Sequence, residues 1–319
     1  PLDSSFTGQF LDDLMKRLGL KNETDLRTKL GLDVMYCGVN DGFLTFVQGF
    51  ADGSYLTEFG VRVKNMKAGG LRFLQHPIKC YEDLMEIDLP DPCEEQRYRS
   101  IPEIINVFGN KYAIFCDAGW GLFEKSWALR GFANFLMDMR RMPTFVEGLL
   151  DLILDFQIEV TGRICEYPID AILFGDDFGM QDRLIMSANV WRKIMKPRWA
   201  KVIAIPRRRS IPVIFHSDGN ILEIIPDLME IGVDVLDPIQ PKALDPRQIK
   251  EEFGEKLALH GLIDIQEVLP SYSSSGVSEA IKELINGVAA GGGVILSPTH
   301  TVLPDVPLDN YLSFLRAVK

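Results

Sequence analysis

Four apolar runs in the second half of the chain each end in side chains that bind metals or protons. They read Val213-Ile-Phe-His216-Ser-Asp218-Gly219, Val235-Leu-Asp237-Pro-Ile-Gln240, Leu259-His260-Gly-Leu-Ile-Asp264 and Val294-Ile-Leu-Ser297-Pro-Thr-His300. In extended chain, residues i and i+2 point the same way, so His216 and Asp218 can face one ion. Gly219 then lets the backbone turn tightly. His300 ends the last run and converges with His216 if the runs close into a ring. Two imidazoles and a carboxylate suit Zn²⁺ with a fourth position left open, which makes His216, Asp218 and His300 candidate metal ligands. The spacing alone is equally compatible with polar residues hydrogen-bonded at a barrel mouth.

Further candidates follow the same logic. Asp176-Asp177 end the apolar run Ala171–Gly175 and precede Phe178-Gly-Met-Gln181. Asp177 is a candidate catalytic group, and Asp176 and Gln181 are candidate substrate contacts; one of the two carboxylates is expected to cap a helix instead. Asp237 and Asp264 are candidate catalytic groups, and Gln240 a substrate contact. Asp117, after Phe115-Cys116, is a similar candidate. His260 should lie deeper and reads as a satisfied core histidine. Trp120, between Gly119 and Gly121, can wall a pocket for a flat ligand, and Cys37 lies near a strand end.

Positioning such groups needs strands that finish together. Strands are expected at about 1–4, 33–39, 112–117, 170–176, 211–216, 233–238, 257–263 and 293–298, with helical patterns between the later ones, such as Ile221–Ile231 and Val277–Ala290. Alternation of this kind over about 300 residues predicts an α/β fold, a (β/α)8 TIM-type barrel, in one domain spanning 1–319. Residues 41–100 form an insertion with Gly-rich and strand-like parts, expected to be a hairpin or lid. Residues 119–163 read as two or three helices. The chain opens inside the first expected strand, so a helix before it would lie outside this sequence, or the barrel starts abruptly.

Composition narrows the class. The 319 residues carry a net charge of −11, with 46% hydrophobic and 25% charged residues, ordinary for a globular domain but contrary to the basic footprint of a nucleic-acid binder. The basic run Arg207-Arg208-Arg209 precedes a strand, at the barrel end away from the site, and reads as a solvated face. No apolar run reaches the roughly 20 residues of a membrane span, and no leader pattern opens the sequence, so a cytoplasmic location is the default. Cysteines at 37, 80, 93, 116 and 165 form no C-x-x-C pair and read as reduced thiols.

Four segments together resemble the uroporphyrinogen decarboxylase superfamily, and within it the corrinoid (cobalamin)-dependent methyltransferases. They are Gly121-Leu-Phe-Glu124 through Leu129-Arg-Gly131, Phe174-Gly-Asp-Asp177-Phe-Gly-Met-Gln181, Phe215–Asn220 through Val235–Gln240, and Gly291–His300. The resemblance implies a distorted barrel and a zinc site at its mouth, which in the family methyltransferases is often His-x-Cys with a later Cys. Those positions fall on His216, Asp218 and His300, so the two thiolates are replaced by harder donors. A harder, more Lewis-acidic metal suits an ether oxygen better than a thiol. The expected activity is therefore transfer of a methyl group between a small O-methyl compound and the cobalt of a separate corrinoid protein, with Zn²⁺ as Lewis acid and methylcobalamin supplied by that partner. A second metal set, Asp264, Glu279 and His300, is weaker, because Glu279 reads as charge near a helix start. A homodimer stays open. The alternative is a porphyrinogen-type decarboxylase, whose several substrate carboxylates need cations; the stretch Leu2–Gly8, where that enzyme carries an arginine-bearing motif, has none. A non-catalytic binding barrel is the third reading.

Overall fold

The computed structural model describes residues 1–40, 45–66 and 70–319. Along the chain come β1 (Val34–Gly38), then β2 (Phe46–Gly49), β3 (Tyr55–Thr57), β4 (Arg62–Asn65) and β5 (Leu71–Gln75). After them come β6 (Ala113–Trp120), β7 (Ala171–Gly175), β8 (Val213–His216), β9 (Val235–Ile239), β10 (Ala258–Ile263) and β11 (Val294–Pro298). The seven-stranded sheet runs β1-β6-β7-β8-β9-β10-β11, all parallel, each strand beside its predecessor in chain order. Helices connect the strands, so the sheet curls with its strand ends together on one side.

Side-chain alternation separates two cores. Val34, Phe115, Ala171 and Ile214, with Tyr36, Leu173, Val235 and Ile295 packed on them, form a small cluster inside the curl. Their neighbours Met35, Ile114, Cys116, Ile172 and Phe215 point outward into the large core shared with the helices. The longest helix, Pro143–Ile164, buries residues 145, 146, 149, 150, 153, 154, 156, 157, 160, 161 and 164, a helical period along its whole length. With Leu122–Arg130 and Phe132–Arg141 it accounts for the helical stretch expected at 119–163. Among the described residues no helix is long and apolar enough to cross a membrane.

The first expected strand, 1–4, is corrected. This segment makes isolated parallel bridges, Leu2 to Leu296 and Phe6 to Val302, and joins no ladder, so the sheet has seven strands and is not a continuous eight-stranded barrel. Towards β1 its contacts are made at Asp33, which donates its N–H to the Leu2 carbonyl and accepts from the Leu2 N–H. Asp3 turns its carboxylate inward instead, to the Tyr36 hydroxyl at 2.6 Å. The insertion is a four-stranded antiparallel sheet, β2-β3-β4-β5. Residues 41–44 and 67–69, which carry Gly42 and Gly69 of the expected lid, lie outside the described residues.

Candidate active site at the strand ends

Register assembles the site. Gly175 pairs with His216 across β7 and β8, and His216 pairs with Asp237 across β8 and β9, so the three lie in one row. His216 Nδ1 lies 2.8 Å from Asp237 Oδ2 and donates to it, which turns Nε2 the other way. Nε2 is 3.9 Å from both Asp177 Oδ1 and Asp218 Oδ1. Burial alone would lower the imidazole pKa, but the hydrogen bond to Asp237 and the charges of Asp237, Asp218 and Asp177 raise it to about 10. Burial would raise the Asp237 carboxyl, yet the charge of His260 and the hydrogen bond from His216 hold it well below the usual range.

Two crossing loops bring the carboxylates together. Asp218 N–H donates to Asp177 Oδ1 at 2.8 Å, Phe178 N–H to Ser217 Oγ at 2.9 Å, and Asn220 N–H to the Met180 carbonyl at 2.7 Å. The loops touch through Gly179 and Gly219; a Cβ on Gly179 would stand 2.3 Å from the Asp218 carbonyl oxygen. Gln240 clamps the second loop, accepting from Gly219 N–H at 2.7 Å and donating to Asp218 Oδ1 at 3.0 Å. Ligand atoms of Asp177, His216 and Asp218 all lie within 4.8 Å of one another, the one potential metal-binding group of this kind among the described residues.

Asp177, His216 and Asp237 face a cavity of about 720 Å³, lined also by Trp120, Glu124 and His300 among others. Glu124 stands in the first turn of helix Leu122–Arg130. Burial, and then the charges of Asp177 and Asp176, push its carboxyl well above the usual range, against the pull of His216 and Lys125. The helix is started from outside: Asp176, fully buried, accepts from Phe123 N–H at 3.0 Å, Glu124 N–H at 2.9 Å and Trp199 Nε1–H at 3.0 Å. Burial outweighs these donors and raises Asp176 to about 7. Gly121 makes the approach possible, since a Cβ there would lie 2.5 Å from Asp176 Cβ.

The structure therefore sorts the expected site residues. His216, Asp218, Asp177 and Asp237 come together, and Gln240 braces them. His300 stands beside the group, its Nε2 3.8 Å from Asp218 Oδ2, so that Asp177 takes the place nearest His216 Nε2 that the spacing had assigned to His300. Trp120 lines the cavity from the end of β6, and Asp117 and Cys37 line it too. Asp176 lies beneath it as the helix-starting acceptor. Asp264 accepts from Gln266 N–H at 2.7 Å and lines a separate cavity with Lys242 and Glu267. Gln181 is exposed and 3.4 Å from Gln266 Nε2, and Glu279 is exposed on helix Ser274–Gly287. Glu124 is the residue the sequence reading passed over as a site group, although its place one turn after Trp120 was a usable signal.

A parallel α/β sheet that gathers carboxylates and imidazoles at its strand ends over a cavity is the architecture of an enzyme. Residues 54–319 match the family described as uroporphyrinogen decarboxylase, and the chain belongs to that family. The uroporphyrinogen decarboxylase of Geobacter sulfurreducens is 24% identical over 260 residues, 76% of this chain and 71% of that protein. That of Vibrio vulnificus is 24% identical over 271 residues, 78% of this chain and 73% of its own length. A solved structure described as a methyltransferase from Methanosarcina mazei superposes with a TM-score of 0.74 at 21% identity, over 99% of this chain and 92% of that one.

Proposed function

We propose that the chain is the methyltransferase that moves a methyl group between a small O-methyl compound and the cobalt of a separate corrinoid protein. The observation that carries this reading is the trio Asp177, His216 and Asp218, with His216 Nδ1 held by Asp237 so that Nε2 faces the two carboxylates. A carboxylate behind a ligand histidine is the usual support for a metal. The donor set is one nitrogen and two carboxylate oxygens, with His300 in reach, and it fits Zn²⁺ without any thiolate. Bound there, Zn²⁺ would supply Lewis acidity towards an ether oxygen. The same name, methyltransferase, is borne by the Methanosarcina mazei protein that shares the fold.

The chain's own groups divide the remaining work. Asp237 keeps the His216 tautomer and direction. The crossing loops and Gln240 fix Asp177 and Asp218. Trp120 walls the cavity, and Glu124 holds a proton at its carboxyl for the oxygen that loses the methyl group.

Porphyrinogen decarboxylation fits this cavity less well. Among the described residues Asp3, Asp117, Glu124, Asp177 and Asp237 line it against one arginine, Arg27, a poor partner for a substrate with several carboxylates. Mixing the protein, Zn²⁺ and a cob(I)alamin carrier with a panel of methoxyaromatics and methyl ethers tests the proposal. Appearance of the methylcob(III)alamin spectrum is expected. Silence with every donor, or carbon dioxide release from a porphyrinogen, would overturn it.

A further inference from the structure

Behind Asp237 the charges do not stop. His260 Nδ1 lies 3.0 Å from Asp237 Oδ1, and His260 Nε2 lies 3.2 Å from Asp3 Oδ2. The Tyr36 hydroxyl donates to the same Asp3 oxygen at 2.6 Å, and Arg27 Nη1 stands 3.8 Å from Asp3 Oδ1. His260 and Asp3 are each 3% exposed. From His216 the order is therefore imidazole, carboxylate, imidazole, carboxylate, with a guanidinium and a phenol at the far end, and the row runs along the wall of the cavity.

We propose that His260 and Asp3 are positioning residues for His216, acting through Asp237. The inference rests on the cation site proposed above and deepens it.

Three observations support the assignment. Asp237 divides its oxygens, Oδ2 to His216 and Oδ1 to His260, so rotating away from either histidine breaks contact with both. Pairing between β9 and β10 is regular up to Leu236–Leu259 and resumes at Ile239–Gly261, one residue longer on β9. That bulge sits opposite His260, at the place where Asp237 makes its second contact. Asp3 is delivered by the segment that lies beside β11, its own N–H held by the Leu296 carbonyl at 2.9 Å. Without His260, two buried carboxylates would be left facing one another, a costly arrangement that neither Tyr36 nor Arg27 relieves at Asp237. Of the whole row, the ring nitrogen directed at the cavity cluster is His216 Nε2.

The test uses the full chain with its four histidines ¹⁵N-labelled in the ring. In the metal-free wild type, His216 should carry its proton on Nδ1 within a hydrogen bond, and its ring signals should shift in Asp3→Asn and in His260→Gln. Zn²⁺ affinity, read by chelator competition, should fall about tenfold in both variants, at the lower end for removal of groups behind a ligand. The His76 ring contacts the Ala128 carbonyl and no member of this row, so a His76→Ala variant should leave the His216 ring signals in place. A wild-type spectrum with no proton on His216 Nδ1 overturns the proposal by itself, even if neither variant folds. Folded variants with unmoved His216 signals overturn it and leave the cation site standing. Shifted His216 signals in a protein that binds no metal would keep the positioning role and sink the cation site.

Discussion

Replacing Glu124 with Gln keeps the shape of the side chain and removes its acidic proton. Glu124 lines the cavity, and its carboxyl is held above the usual range by burial and by the charges of Asp177 and Asp176. It is therefore protonated where an ordinary surface glutamate is not. General acid catalysis contributes about 10²–10⁴ in rate. Under the proposed function a Lewis acid would share the developing charge, which places the expected effect at the lower end, about 10²-fold, or roughly 2.7 kcal/mol of barrier. The size must depend on the leaving oxygen. A methyl alkyl ether, whose alkoxide leaves badly, should lose the full ~10²-fold in kcat, whereas a nitrophenyl methyl ether, whose phenolate leaves unaided, should lose less than about threefold. The sign of the pH dependence follows from the raised pKa. A cation held by Asp177 would offset that carboxylate's charge, but burial, the first cause of the rise, remains; the acid form is present below the raised pKa, so wild-type kcat should fall as pH rises through it, and that limb should be missing from the variant. Initial rates of methylcob(III)alamin formation over a pH series, with both donors, measure all of this. Equal losses for the two donors, or an unchanged limb in Glu124→Gln, would refute Glu124 as the proton source.

Other perturbations separate architecture from chemistry. Asp176→Ala strands three donors, Phe123 N–H, Glu124 N–H and Trp199 Nε1–H, and should cost about 3–5 kcal/mol in urea unfolding; a loss under about 1 kcal/mol would mean that water replaces the carboxylate. Gly179→Ala would place a Cβ 2.3 Å from the Asp218 carbonyl oxygen, so the crossing loops must part. Zn²⁺ binding should weaken at least ~10-fold while the far-ultraviolet spectrum is kept; unaltered binding would show that the loops do not set the ligand spacing. Asp227 lies between Lys196 Nζ at 2.7 Å and Arg192 Nε at 2.8 Å. Burial opposes ionisation there, but those two cations lower its pKa, so its stabilisation is present above the unfolded value and is lost as pH falls through the folded one. Asp227→Asn should cost about 1 kcal/mol at neutral pH, the partly exposed Arg192 keeping it small, and should flatten the acid side of the stability curve.

Periodicity carried most of the fold. Strands of a parallel sheet are buried on both faces and read as short continuous apolar runs, which is why the seven runs from 33–39 to 293–298 mark real strands. The stretch 1–4 looks the same locally, with Leu2 buried, but whether a segment joins a ladder depends on partners far away in sequence. Here the partners are Leu296 on one side and Asp33 on the other, nearly 300 and about 30 residues distant. No local pattern encodes that Asp3 spends its carboxylate on Tyr36 and His260. The insertion at 41–100 was visible as Gly-rich and strand-like, but its four-stranded order is set by pairings such as Val63 with Phe73, which spacing does not specify.

The site shows the same division more sharply. A strand end is a local property, so His216, Asp218 and Asp237 could be nominated from their runs. Which ends meet is decided by register, and register rows are not written in any one strand. His216 pairs with Asp237 because β8 and β9 are adjacent and in step, and Asp177 approaches because Gly179 and Gly219 let two loops cross at backbone contact. His300 follows β11, three strands away from β8 in the sheet, and it reaches the cluster through Asp218. Glu124 is the extreme case. It stands on a helix one turn past the end of β6, and acquires its raised pKa from burial and then from carboxylates more than fifty residues later. Asp176 starts that helix and so helps place Glu124 on the cavity that Asp177 also lines, which makes the paired Asp176-Asp177 one device with two ends: one carboxylate builds the helix that carries the proposed acid, and the other faces His216.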